Sequence, residues 1–239
     1  MKAMIFAAGL GKRLGEVTKS IPKALVEVSG KTVLHLAVEK CASYDFDDII
    51  INVHHFADLV ENEVYRLRKM GFRISISDER DLLLETGGGL YKAKKFFDDS
   101  PFLLYNVDIL TDLDLADLYR YHIKTGSLAT LAVRNREDFR YFLTDRSGLL
   151  KGWCNKSTGE KIITGNTEDS LSEIAFSGIH IADPEIFRYM EPGIYSMTTL
   201  YLKISESARI SVYVHNGGYW FDIGNPESLE IARKYLKKI

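Results

Sequence analysis

Residues 2–25 read KAMIFAAGLGKRLGEVTKSIPKAL, an apolar run followed at once by a glycine-rich turn. The apolar run, residues 2–7, predicts a buried strand. Gly9 and Gly11 then lie at the carboxyl end of that strand, where open α/β sheets bind their ligands. Glycines at this place let backbone N–H groups approach phosphate oxygens closely. The stretch therefore predicts an α/β fold with an anion-binding loop after its first strand.

Strand and helix patterns alternate beyond this stretch through the first half of the chain. Apolar residues recur at helical spacing over residues 33–41 and 56–67, on either side of a β-branched run at Asp48–Val53. Apolar segments at residues 72–77 and 102–105 continue the alternation as strands. This order predicts right-handed crossovers and a Rossmann-like, doubly wound sheet, mostly parallel but mixed, with helices on its faces.

The second half is richer in strand patterns. They lie at residues 128–134, 140–144, 149–154, 175–181 and 210–214. Helices are expected at residues 114–124 and 226–238, the second with Asn225 as N-cap and Pro226 in its first turn. The polar segment at residues 155–172 predicts a surface loop or flap. Because no linker or repeat divides the chain, we expect a single domain.

Composition excludes several classes of protein and partner. The 239 residues are 46% hydrophobic and 27% charged, which is typical of a globular protein. The net charge of −2 argues against a nucleic-acid partner. The longest apolar stretch near the start is too short to span a membrane, and the two cysteines have no metal-binding spacing. We therefore expect a cytoplasmic protein without a membrane or nucleic-acid partner, and a monomer or small homo-oligomer.

Cations distinguish the glycine-rich loop from better-known phosphate loops. Lys12 and Arg13 lie inside it, and Lys23 follows after Pro22. The loop lacks the GK[ST] ending of a P-loop, and Leu14 occupies the third glycine position of a dinucleotide fingerprint. Backbone donors, an arginine that grips phosphate oxygens and a lysine that acts as a point charge together suit a triphosphate.

The loop resembles the G-x-G-x-R…P-K motif of sugar-1-phosphate nucleotidyltransferases, and the resemblance runs the full chain. It implies that Arg13 contacts the triphosphate tail and that Lys23 lies by the reacting phosphates, as the two catalytic residues. Nucleotide-binding positions in the loop would be Ala8, Gly9, Gly11 and Lys12. The domain would then comprise a nucleotide-binding half, about residues 1–110, and a sugar-binding half, about residues 111–239.

A second glycine-rich segment, LETGGG at residues 84–89, opens a predicted helix. Three glycines there expose backbone N–H and C=O groups. In the resembled family this segment lies against the nucleobase, which implies nucleotide contacts from Glu85, Gly87 and Gly88. The form found here is similar to that of N-acetylmuramic acid 1-phosphate uridylyltransferase-like proteins, whereas mannose-1-phosphate guanylyltransferases have a G-T-A-like version. The resemblance therefore favours UTP.

Two aspartates are candidate metal ligands. Asp108 follows an apolar strand, and Asp222 lies between aromatic residues and a predicted helix start. A carboxylate buried at such a place requires a cation or hydrogen-bond donors, although either residue could instead cap the element that follows it. Together they match the family's two Mg²⁺-coordinating aspartates. Val107 stands where the family usually has glycine, which could narrow the space beside the metal or sugar.

The sugar side carries weaker signals. Phe176-Ser177-Gly178-Ile179 is similar to the family's F-S-G-I strand, which implies that Ser177 and Gly178 line the sugar site. Lys151 is a candidate for holding the sugar phosphate, and Arg140 and Tyr141 are candidates for lining the sugar pocket. His54 and His55 are adjacent on a strand, so they point to opposite faces and cannot easily share a metal ion. Asn52 and His54 could instead face the nucleotide.

The resemblance implies transfer from an NTP to a sugar 1-phosphate, giving a nucleotide-sugar, such as a cell-envelope precursor, and pyrophosphate. Mg²⁺ would be the cofactor. Three alternatives stay open on the residues alone: a phosphocholine cytidylyltransferase, a glycosyltransferase that uses a nucleotide-sugar, and a non-catalytic nucleotide-sugar-binding module. Arg13 and the Pro22-Lys23 pair argue against the glycosyltransferase, which does not need them. The presence of Arg13, Lys23, Asp108 and Asp222 together argues against the non-catalytic module.

Overall fold

The computed structural model describes residues 1–165 and 170–237, with the side chains of residues 12, 16 and 17 outside that description. Its strands, numbered in chain order, are β1 (Lys2–Phe6), β2 (Glu27–Val28), β3 (Lys31–Thr32), β4 (Asp48–Val53), β5 (Arg73–Asp78), β6 (Phe102–Asn106), β7 (Ile109–Thr111), β8 (Ala129–Arg134), β9 (Arg140–Thr144), β10 (Leu150–Asn155), β11 (Glu160–Ile163), β12 (Ser172–Ala182), β13 (Ile210–Val214) and β14 (Trp220–Asp222). Its α-helices are α1 (Val33–Ala42), α2 (Ala57–Lys69), α3 (Glu85–Lys92), α4 (Leu115–Thr125), α5 (Met197–Ile204) and α6 (Pro226–Leu236).

Strand β1 lies inside a mixed sheet, third from the edge that β5 forms. It is parallel to β6 on one side and to β4 on the other, and β5 extends the parallel set beyond β4. The register places Phe6 opposite both Asn52 and Asn106, so the carboxyl ends of β1, β4 and β6 meet at one edge. This is the edge at which an open α/β sheet binds its ligand.

The second half of the chain extends the same sheet. Long β12 is antiparallel to β6, β8 and β9, while β13 is parallel to β8. Strands β9, β10 and β11 continue outward as antiparallel neighbours. The expected mixed, helix-flanked sheet is confirmed. Its parallel core comes from the first half of the chain, and the second half adds most of the antiparallel strands.

Alternation along β1 explains the two helical layers. Ala3 and Ile5 pack into an apolar core with α1, α2, α4 and α6, whereas Met4 and Phe6 pack into a second core with α3 and α5. A strand with both faces buried cannot show a polar face, which is why it reads as one apolar run.

The expectation of an irregular loop over residues 155–172 is wrong for Glu160–Ile163. This segment is strand β11, antiparallel to β10, and residues 166–169 of the same stretch lie outside the described part. Strand β11 is exposed along its whole length. It therefore has no buried face to impose the apolar alternation by which a strand is recognised in sequence.

Candidate active site

The loop after β1 forms one wall of a cavity of about 550 Å³, which we call the loop cavity. Its lining combines main chain from residues 6–11 with residues from several other segments: Arg13, Lys23, Asn52, Leu83, Glu85, Thr86, Asn106, Val107, Asp108, Ser196 and Gly224. Ala8, Gly9 and Gly11 of the predicted nucleotide-binding set thus line the loop cavity, and so does Glu85 from the start of α3. Lys12 also belongs to the predicted nucleotide-binding set, and its side chain lies outside the part of the chain that the structure describes.

A second cavity of about 440 Å³ lies beside the first, and we call it the aromatic cavity. It is formed mainly by β9, β10, β12 and β14, and its side chains mix aromatic rings with charges: Arg136, Asp138, Phe139, Arg140, Tyr141, Phe142, Trp153, Phe176, Trp220 and Asp222. Arg13, Asn106 and Asp108 line both cavities. The two spaces therefore meet at the carboxyl end of β6.

Strand pairing brings the two predicted metal ligands together. Asp108 lies in the turn between β6 and β7, and Asp222 ends β14, which is antiparallel to β7 and pairs Asp222 with Ile109. The N–H of Ile223 also donates to the main-chain oxygen of Asp108, at 3.1 Å. Two aspartates that are far apart in sequence thus face the same space.

Lys23 joins these two carboxylates. Its ammonium donates to Oδ2 of Asp108 and lies 3.9 Å from Oδ1 of Asp222. Pro22 is itself extended, and Lys23 then begins a single 3₁₀ turn that carries its side chain inward. Arg13 approaches from the loop, with Nη2 3.6 Å from Oδ2 of Asp222. The four predicted residues therefore form one charged cluster at the junction of the cavities.

Burial and the negative charge of Asp108 raise the pKa of the Asp222 carboxyl, against the lowering effect of Lys23 and Arg13. A carboxylate pair in this position is suited to a cation, and the Lys23 ammonium supplies one. Among the described residues no group of three or more His, Cys, Asp or Glu forms a metal cage. Two carboxylates fit Mg²⁺, which typically takes one or two protein carboxylates and completes its shell with phosphate oxygens and water.

Gly224 keeps this cluster open. A Cβ at this position would lie 2.6 Å from Nη2 of Arg13 and 2.7 Å from Oδ1 of Asp222. Either contact is shorter than real side chains allow, so a larger residue would displace the arginine or the carboxylate. The glycine after Asp222 is therefore part of the cluster's geometry.

The first residues of α3 divide into two groups by position. Glu85 and Thr86 face the loop cavity, whereas Gly87 and Gly88 are buried and are in neither of the two linings described above. The N–H of Gly87 donates to the carbonyl of Tyr195 at 2.8 Å, and a Cβ on Gly87 would lie 2.4 Å from the Tyr195 ring. These glycines bring α3 close to residues 193–195. A base-contacting role for them stays a prediction.

Ser177 and Gly178 differ in a similar way. Gly178 lines the aromatic cavity with a φ of +77°, at the point where the register of β12 shifts. Ser177 is fully buried, and its hydroxyl is 2.7 Å from Nε2 of His215. Its carbonyl accepts a hydrogen bond from the indole N–H of Trp220 at 2.9 Å. Ser177 thus orients an aromatic wall of the cavity by its main chain.

The sequence pattern does not predict several residues that line the aromatic cavity. The Arg136 guanidinium lies 4.2 Å from the centre of the Trp220 ring and also donates to the carbonyl of Phe176 at 2.9 Å. Isolated aromatic residues on strands carry no spacing signal that separates a cavity wall from a core position. Lys151 pairs with Asp145 instead of lining either cavity, so the structure does not bring it to the site.

Comparison with known proteins identifies the family. The sequence matches the nucleotidyl transferase family over residues 2–238. The chain belongs to this family. N-acetylmuramate alpha-1-phosphate uridylyltransferase of Caulobacter vibrioides is 29% identical over 98% of this chain and 96% of its own. Mannose-1-phosphate guanyltransferase beta-B of Xenopus laevis is 27% identical over 95% of this chain but 62% of its own.

The fold has a solved counterpart. HddC from Yersinia pseudotuberculosis, in complex with GMP-PN, superposes with a TM-score of 0.80 and 23% identity over 98% of this chain and 99% of its own. The resemblance found in the sequence is confirmed, and the protein is an enzyme of the sugar-1-phosphate nucleotidyltransferase class. In the part of the chain that the structure describes, no helix has the length and apolar character needed to cross a membrane.

Proposed function

We propose that this enzyme transfers UMP from UTP to a sugar 1-phosphate, with Mg²⁺ as cofactor, and releases pyrophosphate. The observation that carries the proposal is the junction of two cavities at one cluster of two carboxylates, a lysine and an arginine. The loop cavity would take the nucleotide, and the aromatic cavity would take the sugar. The loop cavity is lined mainly by the first half of the chain and the aromatic cavity mainly by the second half. The exceptions are Ser196 and Gly224 in the loop cavity, and Arg13, Asn106, Asp108 and Ile109 in the aromatic cavity.

The choice of substrates rests on two supports. The LETGGG segment is similar to that of uridylyltransferases, and the near-full-length relative from Caulobacter carries N-acetylmuramate alpha-1-phosphate in its name. The aromatic cavity offers ring faces and polar groups of the kind that bind a pyranose. N-acetylmuramic acid 1-phosphate is therefore the first acceptor to test, and other hexose and amino-sugar 1-phosphates follow.

The chemistry needs no general base, because the attacking sugar phosphate oxygen is already an anion. The obstacle is to hold two polyanions in line and to neutralise charge at the α-phosphate. Lys23 would neutralise charge at the reacting centre, and Arg13 with the loop N–H groups would hold the departing pyrophosphate. Asp108 and Asp222 would hold Mg²⁺, which supplies charge neutralisation of the reacting phosphates when bound.

The test is pyrophosphate release with UTP, CTP, GTP and TTP against a panel of acceptors. The panel contains N-acetylmuramic acid, glucose, N-acetylglucosamine and mannose 1-phosphates, and phosphocholine. Release with UTP and one sugar 1-phosphate is the expected result. Release only with CTP and phosphocholine would replace the proposal by a phosphocholine cytidylyltransferase, and binding of a nucleotide-sugar without any turnover would point to a non-catalytic module.

The metal assignment is tested separately with Asp108→Asn and Asp222→Asn. Each variant should fold and should lose about 10²-fold or more of its turnover, as removal of one electrostatic contact at a reacting centre typically does. Asp117→Asn, on the exposed face of α4, is the matched control and should leave turnover unchanged. Wild-type turnover in both site variants, at limiting Mg²⁺, would remove the two-aspartate site.

A further inference from the structure

A buried asparagine in the lining of the loop cavity contacts a buried glutamate behind that lining. Asn52 is 2% exposed and Glu79 is fully buried. Asn52 is the second-last residue of β4 and pairs with Phe6 of β1, and Glu79 is the residue directly after β5. Nδ2 of Asn52 donates to Oε1 of Glu79 at 2.8 Å. Polar side chains are rarely buried this completely unless every hydrogen bond is satisfied, so the pair needs a reason to be there.

On one side the pair holds the glycine-rich loop that follows β1. Oδ1 of Asn52 accepts from the N–H of Ala7 at 2.7 Å and from the N–H of Ala8 at 3.3 Å. These two residues follow β1 and begin the wall of the loop cavity. Since Oδ1 receives main-chain donors, Nδ2 must face Glu79, and the amide has only one orientation that fits.

On the other side the pair holds the start of α3. Oε2 of Glu79 accepts from the N–H of Leu84, the residue before the helix, at 3.3 Å. Leu83 and Glu85, on either side of Leu84, line the loop cavity opposite the glycine-rich loop. Gly89 adds a packing constraint, because a Cβ there would lie 2.7 Å from Oε1 of Glu79.

We infer that Asn52 and Glu79 are positioning residues that set the two walls of the loop cavity, the residue 7–11 loop and the start of α3, at the separation a nucleotide requires. The hydrogen bonds form a connected series in which every donor has an acceptor. The main-chain N–H groups of Ala7 and Ala8 donate to Asn52, Asn52 donates to Glu79, and the main-chain N–H of Leu84 also donates to Glu79. The inference rests on the proposed function only for the identity of the nucleotide. The effect is pre-organisation, which lowers the cost of binding and holds the reacting groups in line.

The direction of these hydrogen bonds permits a reciprocal exchange of groups. N52D puts two carboxylates face to face, and E79Q puts an amide N–H against either Asn52 Nδ2 or the N–H of Leu84. The double variant N52D/E79Q restores all the bonds, because the new carboxylate accepts from the loop and from the new amide, whose oxygen accepts from Leu84. The three variants have nearly the same volume, so packing is not altered.

The first measurement is hydrogen–deuterium exchange of the nucleotide-free protein at pH 8. Amides at Ala7, Ala8 and Leu84 should exchange faster in N52D and in E79Q, and should recover protection in the double variant. Glu185→Gln, the same chemical change at an exposed ion pair with Arg188, is the control and should leave these amides as in wild type. Additive loss of protection in the double variant would overturn the inference.

The second measurement is UTP binding in the presence of MgCl₂, with steady-state constants where turnover is found. Each single variant should weaken UTP binding by about tenfold or more, since displacing a binding group by 1 Å can cost a factor near 10². The KM for the sugar 1-phosphate should change much less. The double variant should bind at least about tenfold more tightly than independent effects predict. Equal losses for both substrates, without recovery, would show a merely structural pair.

The two measurements separate failure of this inference from failure of the proposed function. If the wild type shows no turnover with any acceptor, exchange protection still reports whether the pair positions the two segments. If UTP is not the nucleotide, binding to the wild type, both single variants and the double variant is measured with the NTP that the pyrophosphate assay selects. Protection that does not recover in the double variant overturns the inference whichever substrates are used.

Discussion

Lys23 lies between Asp108 and Asp222, and at the scale of single residues this arrangement has a direct consequence. Its side chain is only 11% exposed, so the charges interact with little screening by water. We expect Lys23→Gln to lower kcat by about 10²-fold or more, because the reacting phosphates lose a fixed positive charge. Lys31→Gln, which breaks an exposed pair with Glu39, is the matched control. Comparable kcat values for the two variants would remove Lys23 from the catalytic set.

Gly9 gives a second residue-scale prediction, because its environment separates folding from binding. A Cβ on Gly9 would meet no atom within 4 Å, yet the residue lines the loop cavity. Gly9→Ala should therefore keep the wild-type melting temperature while weakening nucleotide binding by about tenfold, since the methyl group holds phosphate away from the main chain. Gly217→Ala, also in open space but in neither lining, is the control. Unchanged UTP affinity in Gly9→Ala would contradict a close approach of phosphate at this loop.

At the scale of elements, α3 shows why a helix can carry three consecutive glycines near its start. Glycine lowers helix stability by about 1 kcal/mol relative to alanine. The cost is offset by close packing, since a Cβ on Gly88 would lie 2.0 Å from the carbonyl oxygen of Gly193. The helix therefore approaches the main chain of residues 193–195 directly, and this contact fixes one wall of the loop cavity.

Gly87→Ala tests this packing. The added methyl would overlap the Tyr195 ring and lie 2.8 Å from the Tyr195 carbonyl oxygen. We expect the free energy of unfolding to fall by about 1–3 kcal/mol, despite the better helix propensity of alanine. Urea denaturation measures the change, with Gly217→Ala as the reference. A gain in stability would show that propensity outweighs the contact and that the glycines serve another purpose.

At the scale of the whole molecule, buried histidines link stability to pH. Burial lowers the pKa of His122 from 6.5 to about 4 and that of His180 to about 3. His122 lies on α4 with Nδ1 3.0 Å from the Thr130 hydroxyl, and it is in neither of the two cavity linings. The folded protein therefore keeps His122 neutral, and this affects stability and not the chemistry of the candidate site.

His122→Gln should therefore flatten the acid limb of the stability curve. Below pH 6.5 the unfolded chain binds a proton at His122 that the folded protein does not, so stability is full above pH 6.5 and is lost as pH falls toward 4. The contribution to the slope approaches about 1.4 kcal/mol per pH unit. Urea titrations between pH 4.5 and 7.5 measure it, with exposed His55→Gln as control. Parallel curves for wild type and His122→Gln would contradict the assignment.

Local sequence determined the parallel half of the fold and the loop after β1. Asp48–Val53 and Ile210–Val214 are strands with the predicted bounds, and Asn225 accepts from the N–H of Ser228 as the expected N-cap. These features depend on residues a few positions apart. Their burial follows from the hydrophobic periodicity of the sequence, and their hydrogen bonding follows from the residue types at helix ends. The family motif likewise depends on short spacing between Gly9 and Lys23.

Only the tertiary structure decided which groups meet. The pairing of β14 with β7 brings Asp222 to Asp108, and no short-range pattern encodes that register. The positive φ of Gly178 shifts the register of β12, so alternation from Ser177 could not say which side chain faces the aromatic cavity. The contact of Asn52 with Glu79 joins two parallel strands through their ends. Such contacts form when separate elements pack, because each is set by the position of a whole strand or helix.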